Sequence, residues 1–219
     1  MAVSAAPSAH AEPIVVRPAT IERFGDIEPV INRACWCQYW RQTAAEYGPS
    51  TYSIDHSNWD RRREALRAQC AVEPVPGVIA YLGDLPVGWC GFGPRSSMKR
   101  LEGSRTIPKI DDVAVWSIVC FDVRRGYKRR GVATALLGGA IEYARSHGAC
   151  GLEAYATDPA GSRRGTGTSY MGFTGMFEKA GFRRVVQTAS IAEHLPRWLM
   201  RLDGKAWNAS ATSADRTDR

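Results

Sequence analysis

The segment that most constrains this chain is Val113 to Val123, VAVWSIVCFDV, together with the basic turn and the helix behind it. A run apolar on both faces belongs in the middle of a sheet covered on both sides. After the short turn, Ala133, Leu136, Leu137, Ala140, Ile141 and Ala144 recur at helical spacing, and Gly148 stands where a helix C-terminus needs it. A strand at Gly151–Ala156 comes next. A covered strand, a helix and another strand in immediate succession demand a sheet flanked by helices.

The remaining elements extend that pattern. Ile14–Arg17 reads as a strand, and a helix is predicted from an Asp26 N-cap with Ile27, Val30, Ile31 and Ala34 on one face. A second helix runs from Ser57 or Asn58 to about Cys70, and Val78–Leu82 and Val87–Phe92 form a hairpin. Pro94–Pro108 reads as a long loop, Asp158–Thr168 as a Gly/Ser/Arg loop and Ser169–Ala180 as a helix, with strands at Phe182–Gln187 and Arg197–Leu202. The fold class expected is mixed α/β, of α+β character, with one domain over residues 13–202 between disordered tails at 1–12 and 203–219.

The 219 residues suit one domain. No apolar run is long enough for a membrane span, and the N-terminal stretch lacks the basic and apolar regions of an export signal, so a cytoplasmic protein is expected. Six scattered cysteines without a C-x-x-C pair read as reduced core thiols, with no metal site. The net charge of +7 favours polyanionic partners.

Five of the seven residues from Arg124 to Arg130 are basic, and the turn feeds a helix whose first N–H groups lack intrahelical partners. Lys128, Arg129, Arg130, Gly131, Val132, Ala133 and Thr134 thus make a candidate phosphate site: small residues permit close approach, and Thr134 adds a hydroxyl. The alternative is a basic surface loop before an ordinary helix. A nucleic-acid partner is not expected, because no reader motif and no interleaved aromatics accompany the basic run.

At this point the sequence resembles the GNAT superfamily of N-acetyltransferases. The coenzyme signature of that family, a strand ending in Val and then Arg/Gln-x-x-Gly-x-Gly/Ala, is matched by Val123 and Lys128-Arg129-Arg130-Gly131-Val132-Ala133, with Lys in the first place. Its second motif, an aromatic followed after a short spacer by Gly-Phe, is matched by Phe177-Glu178-Lys179-Ala180-Gly181-Phe182. The resemblance implies a splayed sheet that admits the pantetheine arm of acetyl-CoA, backbone groups of Cys120, Phe121 and Val123 pairing with the arm, and no metal. It implies an acetyl-CoA-dependent N-acetyltransferase in which an amine attacks the thioester directly.

Many relatives carry a Tyr, the acid that protonates the departing thiolate, where this chain has Phe177. Tyr170, seven residues earlier, is the candidate acid if one helix holds both, and bulk solvent is the alternative. Glu153, Asp122 and Asp158 are candidate bases, and Ser117 occupies a place where some relatives have a carboxylate. Trp36, Tyr39, Trp40, Tyr47, Tyr52 and Trp59 crowd the region that shapes the acceptor site in this superfamily, although packing alone accounts for many aromatics. The expectation is a small-molecule amine acceptor and a monomer or homodimer. A protein-lysine acceptor and a coenzyme-binding module with little turnover are the competing readings.

Overall fold

A computed structural model of the chain describes residues 12–48, 57–159, 170–192 and 194–204. The predicted tails, the loop after Asp158 and Tyr52 lie wholly or mainly outside them. Seven strands form one sheet: β1 (Ile14–Pro18), β2 (Gly77–Leu82), β3 (Leu85–Pro94), β4 (Trp116–Val123), β5 (Gly151–Thr157), β6 (Arg183–Ala192) and β7 (Leu195–Asp203), in the order β1-β2-β3-β4-β5-β7-β6. The helices are α1 (Phe24–Ile27), α2 (Ala44–Tyr47), α3 (Ser57–Cys70), α4 (Lys99–Glu102), α5 (Val132–Ser146) and α6 (Thr174–Lys179). No helix among the described residues is long and apolar enough to cross a membrane.

Two apolar layers sandwich the sheet, as the two-faced strand pattern requires. Val78, Ala80, Cys90, Phe92, Ile118 and Phe121 pack beneath α5, while Ile79, Tyr81, Trp89, Val119, Cys120 and Tyr155 join the layer under α1 and α3. The buried stripe of α5 runs Val132, Leu136, Leu137, Ala140, Tyr143 and Ala144. Two glycines let the helix settle this closely: a side chain on Gly139 would meet Val16 Cγ1 at 2.4 Å, and one on Gly88 would meet Val132 Cγ1 at 2.7 Å.

The joint between β4 and β5 defines the functional geography. All other neighbouring strands are antiparallel, but β4 and β5 run parallel and pair only through Trp116↔Leu152, Ser117↔Glu153 and Ile118↔Ala154. Beyond Ile118 they part. Tyr170–Phe173 enters the opening: the N–H of Phe121 donates to the Tyr170 carbonyl at 2.5 Å and that of Thr157 to the Gly172 carbonyl at 3.0 Å.

Four expectations need correction. The helix predicted from Asp26 begins at Phe24 and stops at Ile27, because Pro29 cannot donate and Trp36 and Cys37 adopt left-handed φ of 47° and 56°. Turns replace it. Pro94–Pro108 is not an open loop: β3 continues to Pro94, and α4 comes after a short 3-10 turn at Arg95–Ser97. β4 starts at Trp116 instead of Val113. The helix predicted over Ser169–Ala180 begins only at Thr174, since Gly172 takes φ of +80°. Tyr170 therefore shares no helix with Phe177, and the two do not stand on one helical face.

Candidate functional site

At the mouth of the split, β4 turns through Gly126 (φ +91°) and Arg129 (φ +63°) into Gly131 (φ +82°), the N-cap of α5. Gly131 has no neighbour within 4 Å of where a Cβ would stand, so the approach is open. The first i→i−4 bond of the helix is Ala135 N–H to the Gly131 carbonyl, at 2.9 Å, and no side chain caps the end. The N–H groups of Val132, Ala133 and Thr134 thus precede the ladder at the positive pole of the helix, beside exposed Lys128, Arg129 and Arg130. Such an end receives an anion with several charges.

Around the corner lies a cavity of about 450 Å³ lined by Asn32, Cys37, Tyr39, Tyr47, Cys120, Asp122, Tyr170 and their neighbours. β4 supplies Cys120 and Asp122, the turns that replace the predicted helix supply Asn32 and Cys37, and α2 brings Tyr47. A reciprocal capping box holds α2: Thr43 Oγ1 accepts from Glu46 N–H, and Glu46 Oε2 accepts from Thr43 N–H at 2.8 Å. Asp122 accepts from Asn32 N–H at 3.1 Å and from the Cys120 thiol at 3.7 Å. Burial raises its carboxyl above the usual range, opposed by these hydrogen bonds and by Lys128. A carboxylate so placed holds a proton more readily than its solvated counterpart, as a general base requires.

Tyr170 is 39% exposed as a residue, yet burial still pushes its phenol up to about 12, so the hydroxyl stays protonated at neutral pH. Phe177 is wholly buried, its ring centroid 6.1 Å from that of Phe121 and 5.2 Å from that of Phe182. The remaining predicted coenzyme positions, Phe121 and Val123, lie along the parted half of β4. The N–H of Phe121, one of the backbone groups that the resemblance assigns to the pantetheine arm, already has a partner in the chain. It faces the split but is donated to Tyr170, because a buried amide must find an acceptor.

Glu153 is brought to none of this. It lies at 1% exposure in the paired half of β5, with Oε2 accepting from Arg95 Nη1 (3.0 Å) and Tyr155 Oη (3.0 Å), and Oε1 from Arg201 Nη1 (2.8 Å). Ser117 closes the same network through Tyr155 at 2.9 Å. Asp158 ion-pairs with Arg184. Of the three candidate bases, Asp122 alone lines the cavity.

Cys37 is the reduced core thiol that the sequence predicts, and it also lines the cavity. A side chain on Gly91 would lie 2.2 Å from Cys37 Sγ, so this glycine makes the space for the thiol. The adjacent Cys120 side chain lowers the Cys37 thiol, against burial and with help from the Arg41 charge and the Trp89 indole. The C-x-C spacing of Cys35 and Cys37 is the one signal in the sequence, and it carries no geometry.

The sequence profile described as the acetyltransferase (GNAT) family matches residues 36–182. No curated protein gives a significant match. Among solved structures, the ribosomal-protein-alanine N-acetyltransferase from Brucella melitensis is 18% identical, with a TM-score of 0.50 over 86% of this chain and 99% of its own. The acetyltransferase of GNAT family from Streptococcus pneumoniae is 13% identical, with a TM-score of 0.50 over 87% and 99%. These likenesses concern the fold, whereas the profile spans most of the chain, from the cavity turns through β4, the α5 N-terminus and the Phe177–Phe182 motif. This chain belongs to the acetyltransferase (GNAT) family.

Proposed function

We propose that the chain transfers the acetyl group of acetyl-CoA to a primary amine of a small molecule, by direct attack of the amine on the thioester. The observation that carries this is the adjacency of two features: an uncapped helix N-terminus opened by Gly131, and a cavity holding a half-buried carboxylate, both on the parted half of β4. The pyrophosphate would be held by the N–H groups of Val132, Ala133 and Thr134, with Lys128, Arg129 and Arg130 contributing attraction. Acetyl-CoA supplies an already activated acyl group, so the residues of the chain have only to position the amine and move protons.

In this reading Asp122 takes a proton from the ammonium form of the acceptor. The protonated phenol of Tyr170, in the same cavity, donates to the departing thiolate. The Phe121 N–H faces the split, and exchanging its Tyr170 acceptor for the thioester oxygen would aim a preorganised donor at developing negative charge. A concave, tyrosine-lined cavity of about 450 Å³ suits a small amine better than a lysine on a protein surface. Consumption of acetyl-CoA across a panel of small amines and lysine peptides is the direct test. Turnover confined to peptides would remove the small-molecule acceptor, and no turnover with any amine would remove the reading.

Gly131→Glu is expected to weaken coenzyme A binding at least 100-fold by calorimetry, because a carboxylate would stand at the phosphate position. A left-handed φ costs any L-residue about 1–2 kcal/mol, so Gly131→Ala serves as the control that carries the strain without the charge. Equal affinities for the two variants would show that strain, and not phosphate exclusion, is at work.

A further inference from the structure

A second chamber of about 540 Å³ adjoins the first, and Tyr39, Arg100 and Tyr170 line both. Its far wall is Arg197 of β7, with Ser190 of β6 and Thr106 beside it. Arg197 is 6% exposed; its Nη1 donates to Ser190 Oγ at 3.1 Å, and its buried Nε has no partner. Among the described residues no carboxylate pairs with it. Arg100 likewise pairs with none: its Nε donates to the Tyr39 carbonyl at 2.8 Å, and its guanidinium lies 4.3 Å from the Tyr39 ring centre.

Other buried arginines of this chain are accounted for. Arg95 meets Glu102 and Glu153, and Arg201 meets Asp111, Glu153 and Asp203. Arg41 and Arg62 are held by backbone carbonyls: Arg41 Nη2 donates to those of Pro76 and Phe92 at 2.7 and 2.9 Å, though its Nε is as unpartnered as that of Arg197, and Arg62 donates to those of Ala34 and Tyr47 at 2.5 and 2.6 Å. Arg197 has one hydroxyl. A guanidinium cannot shed its proton to escape burial, and an unpaired buried charge is costly. A chamber walled by two cations that have no counter-ion among the described residues is arranged for an anion from outside.

We infer that the acceptor is an amino carboxylate, its amine lying in the chamber of Asp122 and its carboxylate gripped by Arg197 and Arg100. This rests on the proposed acetyl transfer and adds the acceptor class. The Nε edge of a guanidinium offers two parallel N–H groups, matched to the two oxygens of a carboxylate, and Ser190 already fixes one arm of the fork. Tyr39 and Tyr170, which border both chambers, would flank the body of the substrate.

The test titrates a panel of N-acetyl-L-amino acids and their primary amides into the protein saturated with coenzyme A, followed by calorimetry. At least one acid should bind tenfold or more tighter than its amide, and Arg197→Gln should abolish that preference while melting like the parent. If Arg197→Gln fails to fold, Arg100→Gln takes its place with the same expectation. Equal binding of acids and amides, no binding by any compound, or a preference surviving both substitutions would overturn the inference, as would tighter binding of the phosphonate analogues. A kinetic arm compares amino acids with their decarboxylated amines in acetyl-CoA consumption. Equal kcat/KM for the two sets overturns the carboxylate site and leaves acetyl transfer standing; acid-selective binding without turnover of any amine does the reverse.

Discussion

Glu153→Ala is expected to cost about 3–5 kcal/mol of folding stability, the range for removing one partner from a buried ion pair. Its carboxylate is the shared acceptor of Arg95 and Arg201, whose side chains are 6% and 2% exposed, and of the Tyr155 hydroxyl. The alanine would leave two guanidinium groups facing a cavity in the sheet. Arg95 would keep Glu102, and Arg201 would keep Asp111 and Asp203, so the loss should stay within that range rather than exceed it. Domains hold about 5–15 kcal/mol in all, so the variant would sit near the edge of folding. Urea denaturation followed by tryptophan fluorescence checks this, and a change below about 1 kcal/mol would show that the network contributes little. Glu153→Gln keeps the acceptor oxygen and should be milder. Because the network lies where β4 and β5 are still paired, a folded Glu153→Gln protein should retain most of its turnover.

The contrast between Glu153 and Asp122 shows what a sequence of this kind discloses. Both carboxylates lie on strands flanking one cleft, and local pattern treats them alike. Their difference arises from partners far along the chain: Arg95 reaches Glu153 from the 3-10 turn after β3, 58 residues away, Arg201 from the facing position on β7, 48 residues away, and Asn32 reaches Asp122 across 90. α5 and its Gly131 entrance are legible because helical periodicity, a C-terminal glycine and a basic turn are all local features. The turns around Trp36 and Cys37 are not, since consecutive left-handed residues other than glycine owe their conformation to the tertiary packing around them. The helical placement of Tyr170 fails for a related reason. Its spacing from Phe177 implies one helix only if Gly172 is helical, and at φ +80° it is not. The Arg197 chamber gathers residues from β6, β7, the loop after α4 and the turn at Tyr39, and no window of sequence contains them.

Asp122→Asn should separate chemistry from stability with opposite signs. If Asp122 is the base, the amide cannot accept the proton of the amine, and kcat/KM for the best acceptor should fall about 10²- to 10⁴-fold. Coenzyme affinity should change little, because the proposed phosphate site is the N-terminus of α5 and not this side chain. Stability moves the other way. Burial raises the Asp122 pKa in the folded protein above its unfolded value, so the folded state binds this proton more tightly. The penalty for ionising it is therefore absent below the unfolded pKa, grows as pH rises through the folded pKa, and is fully present at neutrality. An isosteric amide never ionises, and its oxygen can still accept from Asn32 N–H. Asp122→Asn should consequently melt higher than the parent at pH 7, and the advantage should vanish at the acid end. In kinetics, the acidic limb of the parent's kcat/KM profile should lie above the range of a solvated carboxylate, and the variant's residual activity should lack that limb. Parental turnover in a folded Asp122→Asn protein would eliminate Asp122 as the base, whereas lost turnover with an unmoved acidic limb would assign that limb to another group.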